Sequence, residues 1–73
     1  MFKFGDIVRA TNGIVDGTEI TGYGRVISVE DYVYVDWQDL NIGYDHEGED
    51  GVTYNNVWCA LDDEIEHVIE DNI

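Results

Sequence analysis

Between Val29 and Leu40 the chain reads VEDYVYVDWQDL, and apolar and polar side chains alternate almost strictly. Successive side chains of a strand point to opposite faces, so Val33, Val35 and Trp37 fall on one side and Tyr32, Tyr34 and Asp36 on the other. A period of two requires a sheet with one face hidden. The preceding YGRVISVED, Tyr23 to Asp31, supplies a second strand, with Glu30 and Asp31 as a tight turn. Tyr23 to Asp39 is therefore expected to form a hairpin.

Eight glycines and no proline punctuate the sequence. FGDIVRATNG (Phe4 to Gly13) opens on a turn glycine and runs into a short strand in which Val8 and Ala10 share a face. TNG then closes it. Thr11 to Gly22 reads as a loop with one extended stretch at Thr18–Ile20, and Leu40 to Gly51 as a polar, glycine-rich loop. Val52 to Leu61 is expected to be a fourth strand and Ile65 to Ile69 a last one. Val57, Leu61, Ile65 and Val68 also recur at helical spacing, with Asn55 or Asn56 available as a cap. The β-branched residues and an acidic C-terminal end, which opposes the helix dipole, favour strand, turn, strand, with a short helical turn near residues 61–65.

Seventy-three residues make one small domain, 1–73. A chain of this size buries only about 60% of its unfolded surface. Four to five short antiparallel strands point to an all-β fold, a small closed or half-open barrel, because closure removes exposed sheet edges. GDIVRA, GYGRVISV, YVYVDW and the final IEHVI together resemble the SH3-like small barrels, the group that includes Tudor and KOW-type modules. The resemblance implies a scaffold. It does not imply a function, since such barrels host many roles.

Charge limits the functions further. Seventeen acids face three bases, Lys3, Arg9 and Arg25, and from Val26 onward there are 14 acids and no Lys or Arg. So acidic a composition is commonly disordered, yet 44% hydrophobic residues and nine aromatics supply a core. A net charge of −14 exceeds the magnitude of about 2–8 that keeps a small domain soluble, and its self-repulsion destabilises the compact state. With so few bases to neutralise phosphates, direct nucleic-acid binding is excluded as an expectation. The one cysteine allows no internal disulfide. MFKFGD is too soon interrupted by charge for a signal peptide, and no apolar run approaches the roughly 20 residues of a membrane span. These features point to a reducing cytoplasm, and to no membrane association.

No cofactor or catalytic residue is nominated. Cys59 lies in VWCAL, where a free cysteine acts as a small buried hydrophobe, and nearby acids would raise its pKa rather than activate it beside His46 or His67. DHEGEDG (Asp45 to Gly51) clusters oxygen ligands, but an EF-hand counted from Asp45 would need glycine where Asp50 stands and glutamate where Asn56 stands. No dedicated metal site is expected, only weak, incidental cation binding by a solvated loop. A cage for a methylated base from Tyr32, Tyr34, Trp37 and Tyr54 is weakened by the inward direction of Trp37.

There remains the surface itself. Alternate strand residues lie about 6.6 Å apart on one face, a spacing available at Glu47/Glu49, at Glu64/Glu66 and, through the turn, between Asp31 and Asp36. Rows of carboxylates at this pitch imitate the phosphates of a nucleic-acid strand, and exposed tyrosines add the contact area that charge lacks. The expected partner-binding residues are Tyr32, Tyr34 and Asp36 with Asp31 and Asp39 beside them, then Glu47, Glu49 and Asp50, and the corner Asp62, Asp63 and Glu64. In size, acidity and lack of catalytic equipment the chain resembles small bacteriophage proteins that inhibit host enzymes, several as nucleic-acid mimics. That likeness implies an inhibitor of a basic, nucleic-acid-binding host or defence protein, working in the host cytoplasm. An SH3-like adaptor that binds a peptide or partner subunit is the alternative. A dimer paired through a sheet edge is compatible with both.

Overall fold

The computed structural model describes residues 1–40 and 42–68. Its elements are β1 (Ile7–Ala10), β2 (Ile14–Val15), β3 (Thr18–Glu19), β4 (Tyr23–Val29), β5 (Val33–Trp37), β6 (Tyr44–Glu47), β7 (Thr53–Ala60), a 3-10 turn (Asp62–Glu64) and β8 (Ile65–His67). The fold is all-β, and the expected hairpin is β4–β5. Six strands make one antiparallel sheet in the order β6-β7-β5-β4-β1-β8, with β2–β3 as a separate two-stranded ribbon. Strand, turn, strand holds at the C-terminal end in place of a helix. Of the expected last strand, Ile69 lies outside the described residues. No helix among the described residues is long and apolar enough to cross a membrane.

Two expectations need correcting. The sheet has more strands than the four to five expected, because β6 falls inside the segment read as a loop. YDHE shows no apolar alternation, as an edge strand need not; β6 is held by its ladder to β7, with Tyr44 opposite Val57 and Glu47 opposite Thr53. Of the closed and half-open forms expected, closure is not found. β6 and β8 end the ladder, and among the described residues no pairing joins them.

The main core lies on one face of the sheet. Val8, Val26, Val33, Val35, Trp37, Ala60 and Ile65 meet Val15, Ile20 and Leu40 there. The Trp37 indole N–H donates to the Trp58 carbonyl at 3.1 Å, and the Trp58 indole N–H to the Val15 carbonyl at 3.0 Å, which fastens the ribbon to β7. Gly24 is required where Trp37 crosses β4, since a Cβ there would strike Val35 and come 2.7 Å from the Trp37 ring. A bulge between Val26 and Ser28 interrupts the β4–β5 register. The bulged Ile27 and Val57 of β7 are fully buried apart from the main cluster. The tip of the β6–β7 hairpin reaches back to this bulge, where the Glu49 N–H donates to the Ile27 carbonyl at 2.8 Å.

Candidate functional site

The row on β5 is less open than alternation suggests. Tyr34 and Asp36 do face away from the main core, but both are half-buried. The Tyr34 ring stacks on His46 of β6, centroids 3.9 Å apart and planes within 4°. Burial pushes its phenol pKa up, helped by Cys59 and the nearby acids Glu30 and Asp31. Asp36 stands beside Arg25 in the β4–β5 register. Burial nevertheless raises its carboxyl pKa, against the pull of that guanidinium. The cover over Tyr34 is His46 of β6, the strand whose sequence gives no alternation. Tyr32, one residue before β5, stays 45% exposed.

Register brings the turn acids to the C-terminal corner. β5 begins opposite the end of β7, with Val33 beside Ala60. The turn that leads into β5 and the segment that leaves β7 must then lie side by side. One shallow cleft is accordingly lined by Met1, Phe2, Val29, Glu30, Asp31, Tyr32, Val33 and Asp62. The next is lined by Asp31, Leu61, Asp62 and Asp63. The floor is apolar: Phe2 packs on the core from its edge, while Val29 and Leu61 are 40% and 50% exposed. No lysine or arginine lines either cleft. Asp31, Asp62 and Asp63 form no ion pair among the described residues, whose salt bridges all involve Asp6, Glu30 or Glu66.

Other acids of the expected surface serve the fold. Glu64 holds the corner, its carboxylate accepting from the Leu61 N–H at 3.0 Å and the Asp16 N–H at 3.2 Å. Glu66 pairs with Arg9. Glu49 accepts from the Val29 N–H at 3.2 Å, which carries the hairpin tip up to the rim of the acidic clefts. Asp50 accepts from the Tyr54 hydroxyl at 2.7 Å, and that bond holds its carboxyl below the usual range. The regular ladders expected at Glu47/Glu49 and Glu64/Glu66 therefore do not form as free rows, since at least one member of each is turned to a local donor. Asp31 and Asp39 flank the β5 row from opposite ends. Asp39 sits at the far end of β5, in a groove with Arg9, Tyr23 and Gln38.

Cys59 is half-buried rather than buried, opposite Tyr34. Burial, with the Cys59 thiol adding to it, pushes the Tyr44 phenol up to about 12. Both histidines are engaged elsewhere. His46 Nε2 lies 3.5 Å from Glu30, and His67 Nε2 lies 2.9 Å from Asp6 with its ring stacked on Phe2. Trp37, 1% exposed on the core side, cannot share a cage with Tyr34 on the opposite side. Among the described residues no three His, Cys, Asp or Glu side chains are grouped so as to hold a metal ion. Compared with protein-family models, with curated proteins and with solved structures, the chain matches none.

Proposed function

We propose that the chain is a small, non-catalytic binding protein that sets its acidic end on the basic, nucleic-acid-binding surface of another protein. One observation carries this reading: Glu30, Asp31 and Tyr32 meet Asp62 and Asp63 around an apolar floor, with no lysine or arginine among the lining residues. Carboxylates at the rim steer a basic partner and set the orientation of docking. Tyr32, Leu61 and Phe2 provide the desolvated contact on which affinity depends. The partner class is a protein that handles DNA or RNA, such as a nuclease, a defence complex, a polymerase or a nucleoid protein, and the effect is to exclude the polymer. A phage-encoded inhibitor acting in a host cytoplasm is the setting that fits. The scaffold under this reading is a half-open SH3-like barrel, supported by the bulge in β4 and by the bond that ties the β6–β7 tip to Ile27.

The adaptor reading is favoured by the apolar floor, which would also receive a peptide. Reversing Asp31, Asp62 and Asp63 to Lys separates the two. For a mimic, the triple reversal abolishes capture of the basic partner, and DNA competes with the wild-type chain for that partner. Capture that survives the reversal, ignores DNA and is lost in Tyr32→Ala would instead identify an adaptor.

A further inference from the structure

The other side of the sheet presents a surface of a different kind. The β1–β4 register sets Ile7 beside Arg25 and Arg9 beside Tyr23. Arg25 stands beside Asp36 of β5, and Arg9 is bonded to Glu66 of β8 at 2.6 Å. Intervening Val8, Gly24 and Val26 are buried, so these side chains lie on the face away from the main core. The two arginines offset Asp36 and Glu66, and Asp39 stands at the edge in a groove with Arg9 and Tyr23. Setting aside Asp36, Asp39 and Glu66, and also Glu70 and Asp71 beyond the described residues, twelve of the seventeen acids stand against Lys3 alone. Ile7 and Tyr23 are 44% and 51% exposed. They line a shallow groove with Gly24, Arg25, Asp36 and Gln38.

From this arrangement we infer that the β1–β4 face pairs with the same face of a second copy about a twofold axis. Charge selects the occupant. Two chains of −14 repel in most orientations, and this face, which holds both arginines, is where they meet with the least net charge. A twofold contact places the same patch on both sides, so the arginines of one copy meet Asp36 and Glu66 of the other while Ile7 and Tyr23 close over each other. An edge contact through β6 would instead bring the Asp45 and Glu47 carboxylates of one copy close to those of the other. With Ile7 and Tyr23 as its exposed large apolar side chains, the contact belongs with the weak interfaces, those below about 1,200 Å². Such a dimer is independent of the function proposed for the acidic end.

Salt gives this dimer a signature. Repulsion between the net charges is screened within a Debye length of about 8–10 Å at moderate salt, while apolar contact is not screened. Added salt thus strengthens the dimer, whereas it weakens an acidic end held on a basic partner. Sedimentation equilibrium over a concentration series, at low and at high salt, tests this. The expected result is a mass rising from one chain toward two, with the midpoint concentration falling about tenfold as salt is added, or ~1.4 kcal/mol. Ile7→Glu and Tyr23→Glu should each raise the midpoint by at least that factor, and Tyr32→Ala should leave it unchanged. Should either glutamate variant fail to fold, amide shifts of the wild-type chain that move with concentration at residues 7–9 and 23–25 serve the same purpose. A mass of one chain throughout, association indifferent to both variants, or species growing beyond two copies would overturn the inference.

Discussion

The acidic end and the β1–β4 face lie on one small sheet and have opposite electrostatic characters. At the acidic end Asp31, Asp62 and Asp63 are brought together with no lysine or arginine among the lining residues. On the β1–β4 face each arginine has an acid within reach, Arg9 with Glu66 and Arg25 with Asp36. The difference teaches how a linear bias becomes a spatial one. Arg9 and Arg25 lie on β1 and β4, which are sheet neighbours, so the two arginines of the first third of the sequence share one side. The two acidic segments are thirty residues apart in sequence but adjacent in space, because β5 and β7 pair antiparallel between them.

The contrast between the two regions is broken most severely by charge reversal. Asp31→Lys, Asp62→Lys and Asp63→Lys together should weaken binding to a basic partner by roughly a hundredfold or more, about 2.7 kcal/mol, because like charges are then juxtaposed. The same measurement on Arg9→Glu should change binding by less than about threefold, since isolated exposed charges contribute little. A similar loss from Arg9→Glu would erase the distinction between the two regions. Next in size is Gly24→Ala. Its Cβ meets Val35 and the Trp37 ring, and overpacking of this kind costs about 1–3 kcal/mol, measurable by urea unfolding. Because β4 supports both regions, that variant should weaken both contacts together.

Salt sharpens the contrast at a smaller scale. Uncompensated acids repel one another, so added salt should raise Tm, by about 4–8 °C for each kcal/mol of repulsion screened. The triple reversal should flatten that response, and a flat response in the wild-type chain would mean that the acids are dispersed or already paired. Acid titration gives the smallest effect. The bond to His67 first, and those to Lys3 after it, hold the Asp6 carboxyl below its usual 3.8, and the Tyr54 hydroxyl does the same for Asp50. A lowered carboxyl contributes stability that is present above its unfolded value and lost as pH falls through the folded one. Asp6→Asn should therefore remove part of the stability loss seen below pH 3.8. Asp36 has the opposite sign, because burial raises it. Its favourable protonated form is lost as pH rises, so Asp36→Asn should raise Tm slightly at neutral pH.

The hairpin was legible because its alternation is imposed by a buried face, and Val33, Val35 and Trp37 obey it. The C-terminal turn was legible too: three acids between two β-rich runs fold as a 3-10 turn into β8. β6 was not, because an edge strand exposed on most of its residues needs no apolar pattern and is specified by its ladder to β7. That omission hid the stacking of His46 on Tyr34, and with it the partial burial of the row that looked most open. Asp31, Asp62 and Asp63 could each be nominated from composition, whereas their meeting depends on the β5–β7 register, which no local pattern encodes. Asp31 and Asp39 flank the same strand, and its length puts them at opposite ends of the row.

The most direct measurement is the map of amide chemical shifts when the labelled chain is titrated with a basic, nucleic-acid-binding protein it captures. Shift changes should concentrate at residues 30–33 and 61–63 and reverse when DNA displaces the partner. Changes centred on Ile7, Arg9, Tyr23 and Arg25, or spread evenly over the sheet, would contradict it.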